Sequence, residues 1–147
     1  GEIATREALA FVVVQLAGGI IGIWLTHLMF DLPILQYSTK ARAGIGNWTG
    51  EFVATFGLLL TILGAVRHRP DNVPAAVALY IVAGYWFTSS TSFANPAIAV
   101  ARSLSNSFAG IAPHDVPLFI VSQLAGALAA YVVGRVLFDV APPGQQP

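Results

Sequence analysis

Asn95 and Pro96 sit side by side inside an apolar tract that runs 29 residues without a formal charge, from Val73 to Ala101. Asn is among the best residues to cap a helix, and Pro is favoured at the first helical position, where its missing N–H would have had no partner. The pair therefore predicts a helix starting at membrane depth. The Asn95 amide also carries two donors, and a helix N-terminus behind it adds the positive end of a dipole. Water or a solute hydroxyl would meet donors at such a point, whereas cations and protons would meet an electrostatic barrier. Cap and pore group can be the same atoms. A helix from Pro96 to about Phe108 would rise about 19 Å, against a hydrocarbon core of about 30 Å, so it would cross only half. Non-helical backbone survives at that depth only when buried in protein or lining a wet cavity, and Thr88-Ser89-Ser90-Thr91-Ser92 supplies hydroxyls for such a lining. The expectation is a re-entrant half-helix at a pore; the competing one is an exposed loop with Asn-Pro as a turn signal.

Glu51 is the second residue of interest, the only acid inside an expected span. An intramembrane carboxylate reads as functional by default, but near a helix start it can also be held by the dipole and interfacial water. The three histidines, His27, His68 and His114, lack metal-ligand spacing, so no metal site is expected. There is no nucleophile elbow, no phosphate-binding glycine loop and no pair of intramembrane carboxylates to divide acid and base roles. Neither an enzyme nor a cofactor is expected.

The elements that must position these residues follow from composition. Of 147 residues 56% are hydrophobic and 10% charged, the balance of a polytopic membrane protein with the lipid bilayer as its partner. Seven basic and seven acidic residues cancel, leaving no basic stripe for nucleic acid. Cysteine is absent, which removes disulfides and thiol chemistry. Ala8 to Phe30 and Val116 to Gly134 are uncharged runs of 23 and 19 residues, each a span, and Asn47 to Val66 makes a third. The first reads as a true span and not a signal peptide, since Gly1 to Glu7 carries two acids and no cleavage pattern, as if cut from a longer chain. Val73 to about Thr88 is the fourth. The fold class expected is thus all-α, four transmembrane helices plus one re-entrant half-helix, over 1–138, with a disordered Pro/Gly/Gln tail at 139–147. Gln15-Leu16-Ala17-Gly18 returns as Gln123-Leu124-Ala125-Gly126, a sign of two related halves. Gly18 with Gly22, and Gly126 with Ala130, put small residues four apart for close helix packing. Placing Arg6, Arg67, Arg69 and Arg135 inside leaves Lys40 and Arg42 outside, so that the half-helix enters from the outer face.

With Phe93-Ala94-Asn95-Pro96-Ala97, Arg6-Glu7-Ala8-Leu9 before Gln15, and Gly50-Glu51-Phe52, the chain resembles the aquaporin and aquaglyceroporin family from Arg6 to about Phe138. The resemblance assigns the four spans to the family's third to sixth helices in an inverted-repeat bundle, with Asn95, Pro96 and Ala97 in its second half-helix. It leaves the first two helices and first half-helix without a counterpart. It implies a multi-pass channel of the plasma membrane, tetrameric, passing water and small neutral solutes. It also implies that Glu51 is buried and accepts N–H bonds from the half-helix loop, supporting the pore. The family's filter positions fall on Ile98, where an arginine is usual, on Ala83, 12 residues before Asn95, and on Ser92. These small and apolar groups imply a wide constriction that admits glycerol-like solutes or neutral metalloid hydroxides. Arg102, one turn beyond Ile98, is either a displaced filter arginine or a side chain snorkelling to the outer interface. The chain by itself is not expected to conduct; the alternative function is a truncated, non-conducting membrane helix that assembles with partners.

Overall fold

The computed structural model describes residues 3–138, so the tail expected at 139–147 lies outside the described residues. Among the described residues every regular element is helical: α1 (Thr5–Met29), α2 (Ile45–His68), α3 (Val73–Phe87), α4 (Pro96–Arg102) and α5 (Val116–Leu137), with single three-ten turns at Pro70–Asn72 and Pro113–Asp115. Three helical stretches, Thr5–Met29, Ile45–His68 and Pro113–Leu137, are long and apolar enough to cross a membrane. At the fourth expected span a helix forms, α3, but its 15 residues rise only about 22 Å, short of a hydrocarbon core of about 30 Å, so it does not join those three. The chain is an all-α, multi-pass membrane protein.

The chain divides into two compact units. Among the described residues one holds Gly44–Ala94 and 121–138, and the other holds 3–43 and Asn95–Ile120.

In the first unit α2 is the centre. Gly44, at φ 123°, takes a left-handed turn that a side chain would oppose and delivers the chain into α2. On one side Tyr80 of α3 lies across Gly57 and donates its hydroxyl to the Val53 carbonyl at 3.3 Å. On another, Gly126 of α5 sits against the Phe52 carbonyl with no room for a Cβ. Close packing of the small residues at 126 and 130 is therefore real on this side, and Ala130 is fully buried.

In the second unit α4 rests on α1, with Ala101 against Gly19. Gly18 and Gly22, the other half of the repeated small-residue pattern, face open space, and the apolar window of α1 has none of its residues buried. The surrounding loops are tied down by polar contacts. Ser38 donates its N–H to the Ser103 carbonyl (2.8 Å), and Ala112 donates to Lys40 (2.8 Å). Arg42, buried, donates from Nε to the Gly110 carbonyl (2.6 Å) and from Nη2 to Phe108 (3.0 Å), while its backbone N–H reaches Asp115 Oδ2 (2.7 Å). Lys40 and Arg42, grouped by the charge count, thus differ: the Arg42 head is a buried strut between loops.

α4 ends at Arg102, shorter than the expected helix to about Phe108. Past that residue the polar side chains bond elsewhere than in a helix: Ser103 locally, Ser105 to His27 (3.1 Å), and Asn106 Oδ1 as acceptor from the Thr39 N–H (3.0 Å) and hydroxyl (3.1 Å). Ser103 Oγ donates to the Val100 carbonyl at 2.7 Å, and Leu104 donates its N–H to Ala101, so the helix tightens and closes within one turn.

Candidate functional site

Asn95 caps α4. Its Oδ1 accepts from the N–H of Ala97 (2.8 Å) and of Ile98 (3.3 Å), satisfying two of the orphan donors at a helix start, with Pro96 in the first position. The Nδ2 side is turned the other way, toward Gln15 Oε1 of α1 at 3.4 Å. Asn95, Gln15, Pro96 and Ala97, with Val12, Leu16, Val100 and Ile120, line a cavity of about 290 Å³ in the second unit. Its walls are almost wholly apolar, and the two amides are what a polar molecule there would meet.

The residues leading into Asn95 belong to the first unit and have an unusual backbone. Thr91, Ser92 and Ala94 all have positive φ, at 65°, 48° and 48°. Each such non-glycine residue stores about 1–3 kcal/mol and persists only where the surroundings over-determine it. Two features do so. Glu51, fully buried near the start of α2, accepts the Phe93 N–H on Oε1 (2.8 Å) and the Ala94 N–H on Oε2 (3.0 Å). Glycines also clear a path: a Cβ on Gly50 would lie 2.7 Å from Ser89 Oγ, and one on Gly84 would lie 2.7 Å from Ser92 Oγ. Ser89 Oγ donates to the Gly46 carbonyl (2.7 Å), Thr88 Oγ1 to Gly84 (2.6 Å), and Ser90 Oγ accepts the Ser92 N–H (3.3 Å), whereas Thr91 Oγ1 and Ser92 Oγ have no hydrogen-bond partner among the described residues.

The structure brings Glu51 to the loop residues before Asn95, although 42 and 43 positions separate them from it. Ala83 is exposed on α3 and Ser92 is buried, both in the first unit; Ile98 and Arg102 are half-buried on α4 in the second. Sequence reasoning does not assign the buried Gln123 of α5 to this site, yet it donates Nε2 to Glu51 Oε2 at 2.6 Å. The signal available is a lone amide in an otherwise apolar span, repeated at Gln15.

No protein-family model matches the chain, and no solved structure matches it. Among curated proteins it is 50% identical, over 143 residues, to the aquaglyceroporin AqpS of Rhizobium meliloti. That alignment covers 97% of this chain and 61% of the relative's length. Identity at that level over almost every described residue, together with the Asn-Pro-Ala helix start, places the chain in the aquaporin family.

Proposed function

We propose that this chain is the portion of a passive membrane channel that carries its outer half-helix and the loop leading into it, and that the whole channel passes water and small uncharged solutes. The observation that carries the reading is the buried Glu51 carboxylate beneath a loop of three positive-φ residues. A fold that buries a carboxylate to hold strained, non-helical backbone beside membrane-grade helices has reason to keep that backbone where it is. Asn95 is the pore group: its Oδ1 is committed to the cap, which leaves Nδ2 as the donor for a passing hydroxyl.

The solute range follows from small or apolar groups at the filter positions. The resemblance assigns those positions to Ala83, Ser92 and Ile98, whose small or apolar side chains suit a polyol such as glycerol or a neutral metalloid hydroxide, and the name of the aquaglyceroporin relative supports the same range. Arg102 stands one turn beyond Ile98 and takes the part of a displaced filter arginine. The exposed apolar faces of α1 leave room for lipid or for further helices, and the resemblance supports further helices completing the wall and a tetramer in the plasma membrane. Water and glycerol flow measured in the same vesicles tests the reading. Water flow with glycerol no faster than in protein-free vesicles would overturn the wide filter, and an Arg102→Ala channel unchanged in rate and selectivity would remove Arg102 from it.

A further inference from the structure

Among the described residues Glu51 has three donors and no cation. In the first unit, residues 44–66, 73–94 and 121–134 contain no other acid, no lysine or arginine and no histidine. The carboxylate is therefore answered entirely by N–H groups: two from the loop, Phe93 and Ala94, and one from a side chain, Gln123 Nε2. The side-chain donor is the shortest of the three, at 2.6 Å.

Gln123 itself gains little from the arrangement. It is 1% exposed, and its Oε1 has no hydrogen-bond partner among the described residues. A buried acceptor left unpaired is unfavourable, and an apolar side chain of the same length would avoid it. Turning the amide over would set oxygen against the Glu51 oxygen, so the orientation is dictated by the carboxylate. The orphaned oxygen is tolerated because the other end of the amide fixes Oε2, the same atom that receives the Ala94 N–H.

We infer that Gln123 is a positioning residue for the pore loop: through its bond to Glu51 it aims the carboxylate at the Phe93 and Ala94 amides and so holds the positive-φ segment that leads into Asn95. The inference deepens the channel reading and rests on it, because the held segment is the one that delivers the chain to the half-helix. Its direct readout, however, is the loop and not the flow.

Hydrogen exchange at the Phe93 and Ala94 amides of the full-length purified protein tests it, in a cycle of Gln123→Met, Glu51→Gln and the double variant. Gln123→Met keeps the length and removes the donor. Exchange at those two amides should then rise roughly tenfold or more, the effect of losing one hydrogen bond to a charged group, while amides within α2 and α5 keep their protection. In the Glu51→Gln background the same change at position 123 should add much less, because the carboxylate it acts through is gone. If Gln123→Met leaves the two amides unchanged, or speeds them equally in both backgrounds, Gln123 is a packing residue and the inference fails. Gln123→Leu gives the same reading should the methionine variant not fold. Water flow through the unmodified protein separately decides whether a channel is present, and exchange decides the role of Gln123 whatever that result.

Discussion

Replacing Glu51 by alanine should release the loop, and the structure sets the scale. The substitution leaves three buried donors, Phe93 N–H, Ala94 N–H and Gln123 Nε2, without their acceptor. An unsatisfied buried donor is worth about 1–3 kcal/mol, and two of the three belong to the loop, so the held loop loses about 2–6 kcal/mol. Strain relief pushes the same way, since letting go frees Thr91, Ser92 and Ala94 from positive φ, worth about 1–3 kcal/mol each. Against this stands whatever the glycine crevices at 50 and 84 still offer in packing. Even the low end shifts the closed-to-open ratio by about thirtyfold, at about 1.4 kcal/mol per factor of ten. Ser92 is a suitable reporter: it is 3% exposed, its hydroxyl has no hydrogen-bond partner among the described residues, and the chain contains no cysteine. A Ser92→Cys thiol should react slowly with a polar thiol reagent when Glu51 is present and on the order of thirty times faster, or more, in Glu51→Ala. Glu51→Gln should fall between, since one of its two faces still accepts. Equal labelling in all three backgrounds, with the helices intact by circular dichroism, would refute the reasoning that the carboxylate is what holds the loop.

Two further outcomes follow from the geometry. Asn95→Cys should label far more slowly than a cysteine in the Arg67–Asn72 connection, with labelling slowed further by pore-sized solutes; equal rates would end the re-entrant assignment. Gly126→Ala places a methyl against the Phe52 carbonyl and should destabilise the helix pair by about 1–3 kcal/mol, the range for overpacking, measured as a lower melting temperature in detergent, whereas Gly18→Ala, which meets nothing within 4 Å, should have little effect in this chain.

What can be read from sequence is local or is borne by family resemblance. The Asn95 cap and Pro96 start depend on three consecutive residues, and the helical spans depend on uncharged runs, so both are legible. The length of α4 is not, because hydropathy counts Leu104 and Phe108 as helix-compatible while Ser103 bonds back to the Val100 carbonyl and Ser105 and Asn106 are drawn to His27 and Thr39, far away in sequence. Glu51 beneath the loop comes from the resemblance, as its own position equally suits an acid at a helix start. Gln123 lies 72 residues from the carboxylate it serves, and no periodicity connects them. The Gln-Leu-Ala-Gly repeat points to both glutamines without indicating that Gln123 faces a carboxylate and Gln15 an asparagine amide.

The open space at Gly18 and Gly22 changes what a substitution there measures. At Gly126 the chain's own Phe52 limits the size of the side chain, so tolerance at that position reports folding. At Gly18 and Gly22 nothing among the described residues comes within 4 Å of an added Cβ, and tolerance is decided by whatever comes alongside α1. A scan of side-chain size at these two positions therefore works as a ruler for an absent neighbour: the largest residue accepted in the intact membrane assembly, compared with that accepted in the isolated chain, reports how close that neighbour approaches.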